Sequence, residues 1–413
     1  MAAHATSVVI IGAGPAGAAA AIQLRRAGIS VTLIDKAVFP RDKCCGDGLT
    51  SGALRHLDHL GLNPADVPTW KPVQNVWISR PSRQPMHFPL PAGPGQFAAT
   101  ATREDLDMAL LNLAIEAGAD VRQGVSLVNV ELFEDRVRTE TDNGTFESDW
   151  LIGADGMWSP TRKALGFATG SGPGHDRTYL GEWHAFRQYW CNVSPRAAED
   201  LFVWFEPDIL PGYMWCFPLP DNRANIGFGI LRGGEIRTKH MGDIWDDLVD
   251  RPHIREIIGD DATPETDHKA WPIPARIGQL PLTAHRTFFV GDAAGACDPM
   301  TGEGIGQALQ TGLGAADAIK ASVGLGTGPA TAAEHYARAT DRELGVDMRF
   351  AATLGSVLST QRGAEWALKT AGMTNWTSRN FARWLFEDYP RALLGTPKRW
   401  TADMFSRPGA YSQ

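Results

Sequence analysis

Ser7-Val-Val-Ile-Ile11 runs straight into Gly12-Ala13-Gly14-Pro15-Ala16-Gly17, and the fold is decided at that junction. A short apolar run rich in β-branched residues is the pattern of a strand buried on both faces. The Ala-rich stretch 18–26 predicts a helix ending near Gly28, and Val31-Thr-Leu-Ile34 predicts a second strand closed by Asp35. Strand, Gly-x-Gly-x-x-Gly turn, helix, strand and terminal acid together form the dinucleotide-binding fingerprint. Gly12 makes the tight turn, Gly14 lets a pyrophosphate approach the backbone, and Gly17 lets helix and strand pack closely. The helix N-terminus offers unpaired N–H groups to phosphates, and Asp35 can accept a hydrogen bond from a ribose hydroxyl.

The rest of the chain is consistent with that start. It has 413 residues, 43% hydrophobic and 21% charged, with a formal net charge of −8. That length predicts two or three packed units. The acidic balance, without a block of like charges, argues against nucleic acid as a partner. No apolar run is long enough to span a bilayer as a helix. Cysteines 44, 45, 191, 216 and 297 are odd in number and lack metal-ligand spacing, so a reduced protein without a metal is expected. The amino terminus lacks the plan of a signal peptide, and the expected compartment is the cytoplasm.

Two later segments choose the dinucleotide. Trp150-Leu-Ile-Gly-Ala-Asp155-Gly156 reads as a strand entering a turn. Phe288-Phe-Val-Gly291-Asp292 leads into Pro299-Met-Thr-Gly302-Glu-Gly304-Ile305, a Gly-rich loop opening a helix over 308–319. A carboxylate at a strand end can hold a sugar-alcohol chain, and a helix N-terminus can stabilise an anion beside it. These segments resemble the FAD enzymes built like para-hydroxybenzoate hydroxylase, in the same order. The resemblance implies Asp155 and Gly156 near the pyrophosphate, Asp292 on the ribityl chain, and Gly302, Gly304 and Ile305 along the isoalloxazine. It also implies Arg103 near the cofactor phosphates. The full implied cofactor set adds Ala16, Lys36, Arg41, Cys45, Gly46 and Pro299 to Gly12, Gly14, Gly17 and Asp35.

Two further motifs are more selective. One is Arg41-Asp-Lys-Cys44-Cys45-Gly46-Asp47-Gly48; the other is Tyr213-x-Trp215-x-Phe217-Pro218, followed after eight residues by Gly227-x-Gly229. Both resemble the geranylgeranyl reductase family of flavoproteins, although Cys44 replaces a family proline. The resemblance implies an FAD-dependent oxidoreductase that saturates carbon–carbon double bonds of an isoprenoid or prenyl quinone. It further implies that Cys45 faces the isoalloxazine, where a thiol could donate a proton. Alternation along a strand puts Tyr213, Trp215 and Phe217 on one face. With Gly227 and Gly229 they are the expected substrate wall; Trp183, Phe202 and Trp204 are expected in core packing, with an extension of the apolar lining as the alternative. The alternative is an FAD monooxygenase, either a hydroxylase or a halogenase, acting on an aromatic or polyketide product. Tryptophan-type halogenases carry WxWxIP and a Gly-Glu-Ser signature, and both differ here. A third reading, a non-catalytic escort of prenylated proteins, does not require the complete nucleotide set found in this chain.

The expected fold is α/β with an α+β second domain. A Rossmann-type FAD domain is expected over 1–70, 101–177 and 285–330, and an antiparallel substrate domain over 71–100 and 178–284. Strands are expected over 179–190, 201–205 and 224–231, with a helical region over 331–413. No second fingerprint appears, so the reductant is expected to be external, either NAD(P)H or an electron-carrier protein. From 361 to 413 eight Lys or Arg face four Asp or Glu. Trp366, Trp376, Trp384, Leu385, Phe386, Leu393, Leu394 and Trp400 lie among them, a mixture that suits peripheral contact with the inner membrane face. The expected partner is a hydrophobic small molecule or lipid.

Overall fold

The computed structural model describes residues 4–79, 85–167, 181–234, 236–386, 390, 392, 396–400, 402–403 and 406–412. Strand β1 (His4–Ile11) leads through the Gly12 turn into helix α1 (Pro15–Arg26) and strand β2 (Val31–Asp35). β1 lies parallel between β2 and strand Gly144–Gly153, with Ile10 opposite both Leu33 and Ile152. Val8, Val9 and Ile10 are fully buried, as the unbroken apolar run requires. Asp120–Gln123 and Thr287–Phe289 extend this parallel sheet, and Leu127–Leu132 with Val137–Thr141 add an antiparallel flap. Helix Ile305–Leu325 packs against α1, and Gly312 permits the contact, since a Cβ there would sit 2.2 Å from the Ala16 carbonyl oxygen.

A second sheet is almost wholly antiparallel. Its path is Thr263–Pro264, Trp183–Cys191, Arg223–Leu231, Tyr213–Leu219, Leu201–Trp204, Asn75–Ser79 and Met86–Pro89. Among the described residues one parallel pair joins Leu201–Trp204 to Asn75–Ser79. The strand expected from Tyr179 begins at Trp183; Tyr179 lies outside the described residues, as do Leu393 and Leu394. One face of the sheet carries Phe186, Phe202, Trp204 and Phe228, covered by helix Met241–Asp250 through Trp245. Phe202 and Trp204 are therefore core. The opposite face carries Val76, Ile78, Phe88, Trp215 and Phe217, which pack with Leu368, Ala382 and Phe386 of the C-terminal segment. Helices Pro329–Thr340, Val346–Leu358, Gln361–Ala371 and Asn375–Leu385 follow, and the last of these packs on the Met86–Pro89 edge. No described helix is long and apolar enough to cross a membrane.

Candidate functional site

A cavity of about 570 Å³ is lined by residues from both sheets. Its nucleotide end is built by the β1–α1 turn. Gly12 has φ +104, and a Cβ there would lie 2.3 Å from the Ala154 carbonyl oxygen. Helix α1 begins with no side-chain cap, so its first N–H groups have no side-chain partner and can receive an anion. Asp35 accepts from the backbone N–H groups of Ala13 (2.7 Å) and Ala37 (2.8 Å), tying the glycine loop to the end of β2.

Two arginines stand beside that loop. A Cβ on Gly14 would be 3.8 Å from a guanidinium nitrogen of each of Arg41 and Arg103. Both are held by one fully buried carboxylate, Asp107, which accepts from Arg103 Nε (2.8 Å) and Nη2 (2.7 Å) and pairs with Arg41 at 2.7 Å. Two cations against one anion leave a positive cradle beside an open helix N-terminus, the charge balance a diphosphate requires. Asp107 was not singled out from the sequence, although its spacing four residues after Arg103 was legible as a helical ion pair.

Most of the expected cofactor set lines this cavity: Gly12, Gly14, Ala16, Asp35, Lys36, Arg41, Cys45, Gly46, Arg103, Asp155, Gly156, Asp292, Gly302, Gly304 and Ile305. Gly17 and Pro299 do not. A Cβ on Gly17 would lie 1.8 Å from the Gly12 carbonyl oxygen, so that glycine serves close packing. Pro299 instead offers its carbonyl to Trp183 Nε1 at 2.9 Å. Asp155 lines the wall, but its carboxylate turns into its own loop, accepting from Ser159 Oγ (2.6 Å) and Thr161 N (2.7 Å). Helix Ile305–Leu325 starts at the cavity without a side-chain cap. Asp292 accepts from the Cys297 thiol at 3.3 Å. Lys43, also on the wall, lies 3.8 Å from the Trp271 ring centre.

The other end is aromatic. Tyr213, Trp215 and Phe217 share one strand face with centroid separations of 6.0 and 6.1 Å, and all three line the cavity. Strand pairing sets a small residue opposite two of them: Gly229 faces Tyr213 and Gly227 faces Trp215, while Asn225 faces Phe217. Gly227 does not line the cavity. A Cβ there would come within 2.4 Å of Trp215 Cζ2, so Gly227 lets the indole lie across the sheet. Gly229 does line it. Below Tyr213 and Phe217 a second, apolar chamber of about 110 Å³ shares those two rings, Trp183, Thr301 and Glu303 with the first. Trp183, favoured as core with the apolar lining as its alternative, borders both spaces.

A buried polar chain supports the Cys45 loop. Asp47 is fully buried at φ +63, a conformation that suits Asp, Asn or Gly. Its Oδ2 accepts from Tyr189 Oη (2.6 Å) and Asn225 Nδ2 (2.8 Å). Asn225 also donates to the Cys45 carbonyl (2.8 Å) and accepts from Trp215 Nε1 (3.1 Å). The Asp47 amide donates to Cys45 Sγ at 3.4 Å. Burial, and then the neighbouring Asp47 charge, push the Cys45 thiol up to about 12. Burial likewise raises Asp47 to about 6, against the hydrogen bonds from Tyr189 and Asn225 that favour its ionised form.

That shift has a stability consequence. Between about pH 4 and pH 6 the unfolded chain releases the Asp47 proton while the folded chain keeps it, so rising pH costs stability until the penalty is complete above pH 6. Asp47→Asn keeps the backbone conformation and removes the charge. It is expected to gain about 1–3 kcal/mol at pH 7.5 and much less at pH 4 in urea unfolding. An equal change at both pH values would refute the charge explanation.

The FAD-binding-domain family matches residues 5–344. The menaquinone reductase of Mycolicibacterium smegmatis is 32% identical over 362 residues, 80% of this chain and 81% of that one. The chain belongs to the geranylgeranyl reductase family of FAD-dependent oxidoreductases. A digeranylgeranylglycerophospholipid reductase of Methanopyrus kandleri is 29% identical over 319 residues, covering 74% of this chain and 78% of that one. The crystal structure of a geranylgeranyl bacteriochlorophyll reductase-like protein from Thermoplasma acidophilum superposes with a TM-score of 0.79. At 19% identity over 97% of this chain and 100% of that one, it shows a shared fold. As a geranylgeranyl reductase-type flavoprotein, the chain requires a nucleotide cradle. The uncapped α1 terminus, the Arg41–Asp107–Arg103 cluster and the glycine backbone fit that requirement.

Proposed function

We propose that this enzyme saturates isolated carbon–carbon double bonds in the prenyl chain of a quinone or an isoprenoid lipid. The observation that carries the reading is the apolar chamber adjoining the nucleotide cavity behind Tyr213 and Phe217. Its walls are mostly aliphatic and aromatic side chains, with Thr50, Thr301 and Glu303 among them, a lining that suits a hydrocarbon chain. The names borne by the similar reductases support the same substrate class.

Bound FAD supplies the hydride. The chain's own residues do the rest. The arginine pair and the α1 terminus hold the diphosphate, Asp35 the ribose, and Asp292 the ribityl chain. Tyr213, Trp215 and Phe217 hold the alkene in place, which is most of what catalysis can do for a group with no carbonyl to polarise. Cys45 holds a proton on Sγ for the second carbon, and Asp47 positions the Cys45 loop through Asn225. The reductant is external, NAD(P)H or an electron-carrier protein, because the sequence contains a single dinucleotide fingerprint.

Reduced holoenzyme mixed anaerobically with a geranylgeranyl lipid, or with a menaquinone whose quinol is reoxidised in air before analysis, is expected to add about 2 Da per carbon–carbon bond saturated, read by mass spectrometry. No mass gain with either substrate, together with oxygen-dependent turnover of a phenol, would replace this reading with the monooxygenase one.

A further inference from the structure

We infer that the outer face of the hairpin formed by helices Gln361–Ala371 and Asn375–Leu385 docks on an anionic lipid bilayer. The two faces of this hairpin differ sharply. Inward, Ala364 and Leu368 of the first helix and Phe381 and Leu385 of the second wall the apolar chamber. Outward, Arg362, Trp366 and Lys369 recur at intervals of four and three residues, a single stripe on the opposite side of the first helix, and exposed Met373 follows just past its end. Trp366, Met373 and Trp376 are 68%, 72% and 70% exposed, so three of the largest apolar groups near the chamber face water.

Charge selects the occupant. Arg362, Lys369 and Arg379 are exposed among those rings, and Glu365 is the one acid between 361 and 385. This patch is basic on a chain of net charge −8, so it attracts an anionic surface that the rest of the protein repels. Indoles alternating with cations suit the headgroup level of a bilayer, where each ring sinks and each ammonium or guanidinium stays at the lipid phosphates. A protein interface core would instead be depleted of lysine. Both helices of the hairpin border the chamber, so the docked face lies next to the space a lipid chain would enter. That last step rests on the prenyl-substrate reading; the docking itself does not.

The full-length holoenzyme is expected to sediment with vesicles of phosphatidylglycerol and phosphatidylcholine mixed in about a one-to-two ratio, and to bind pure phosphatidylcholine at least about tenfold more weakly. Trp366→Ala with Trp376→Ala, and separately Arg362→Gln with Lys369→Gln and Arg379→Gln, should each weaken vesicle binding about tenfold. Both variants should keep the parent rate on a short, water-soluble prenyl quinone. Equal binding by parent and variants would overturn the inference, as would no binding to anionic vesicles. So would a parent that is dimeric in solution and becomes monomeric in the tryptophan variant, since a second copy would then cover the face. Vesicle binding without any prenyl reduction would leave the docking intact and refute only the substrate reading.

Discussion

Cys45→Ala is expected to slow substrate reduction by about 10²–10⁴-fold, the usual contribution of a positioned proton donor, while FAD still binds. The thiol lies in the loop that meets the aromatic row: a Cβ on the next residue, Gly46, would be 3.4 Å from Phe217 and 3.6 Å from Trp215. With its pKa near 12, Cys45 is ionised about once in ten thousand molecules at pH 8, so the donor is always loaded. The rate should therefore be level from pH 7 to pH 9 as far as this group is concerned. A fall centred near pH 8.5 would indicate a thiol in ordinary solvent. Single-turnover product formation, measured beside the visible absorbance of bound FAD, separates lost chemistry from lost cofactor. A variant rate within about threefold of the parent would remove Cys45 from the reaction.

Local pattern made much of this arrangement readable before any coordinates. The β1–α1–β2 unit follows from one apolar run, three glycines and an acid, because each of those residues answers a steric or charge requirement within a few positions of chain. Alternation placed Tyr213, Trp215 and Phe217 together for the same reason. It did not reveal why Gly227 and Gly229 matter, since their meaning lies in the register that sets them opposite two rings. The Asp47–Tyr189–Asn225 chain was beyond reach of pattern. Its partners are 142 and 178 residues apart in sequence, and only the docking of the loop onto the second sheet brings them within 3 Å. A motif names neighbours in sequence, whereas Pro299 does not line the cavity and its carbonyl accepts from Trp183 on the wall. The C-terminal tryptophans looked uniform as a string. Their division into chamber wall and exposed stripe required the helical phase of both segments, and the chamber itself draws residues from 48 to 386.

Asp107→Ala is expected to cost about 3–5 kcal/mol in the FAD-free enzyme, the range seen when one partner of a buried ion pair is removed. The carboxylate has no exposed surface, and the two guanidiniums it holds are only 20% and 11% exposed. Deleting it strands two like charges beside each other on the cavity wall, so repulsion adds to lost hydrogen bonds. For a protein of this size the midpoint of thermal unfolding should fall by about 3–6 °C. FAD should then restore part of the loss, because its diphosphate returns negative charge to the same arginines. The rise in midpoint on adding FAD is accordingly expected to be larger in the variant than in the parent. Asp107→Asn discriminates charge from shape: it keeps an acceptor for Arg103 but no anion, and should fall between the two. An FAD-free Asp107→Ala protein that melts with the parent would mean that Arg41 and Arg103 reach solvent without it, and that the nucleotide cradle is assembled by the cofactor rather than held ready for it.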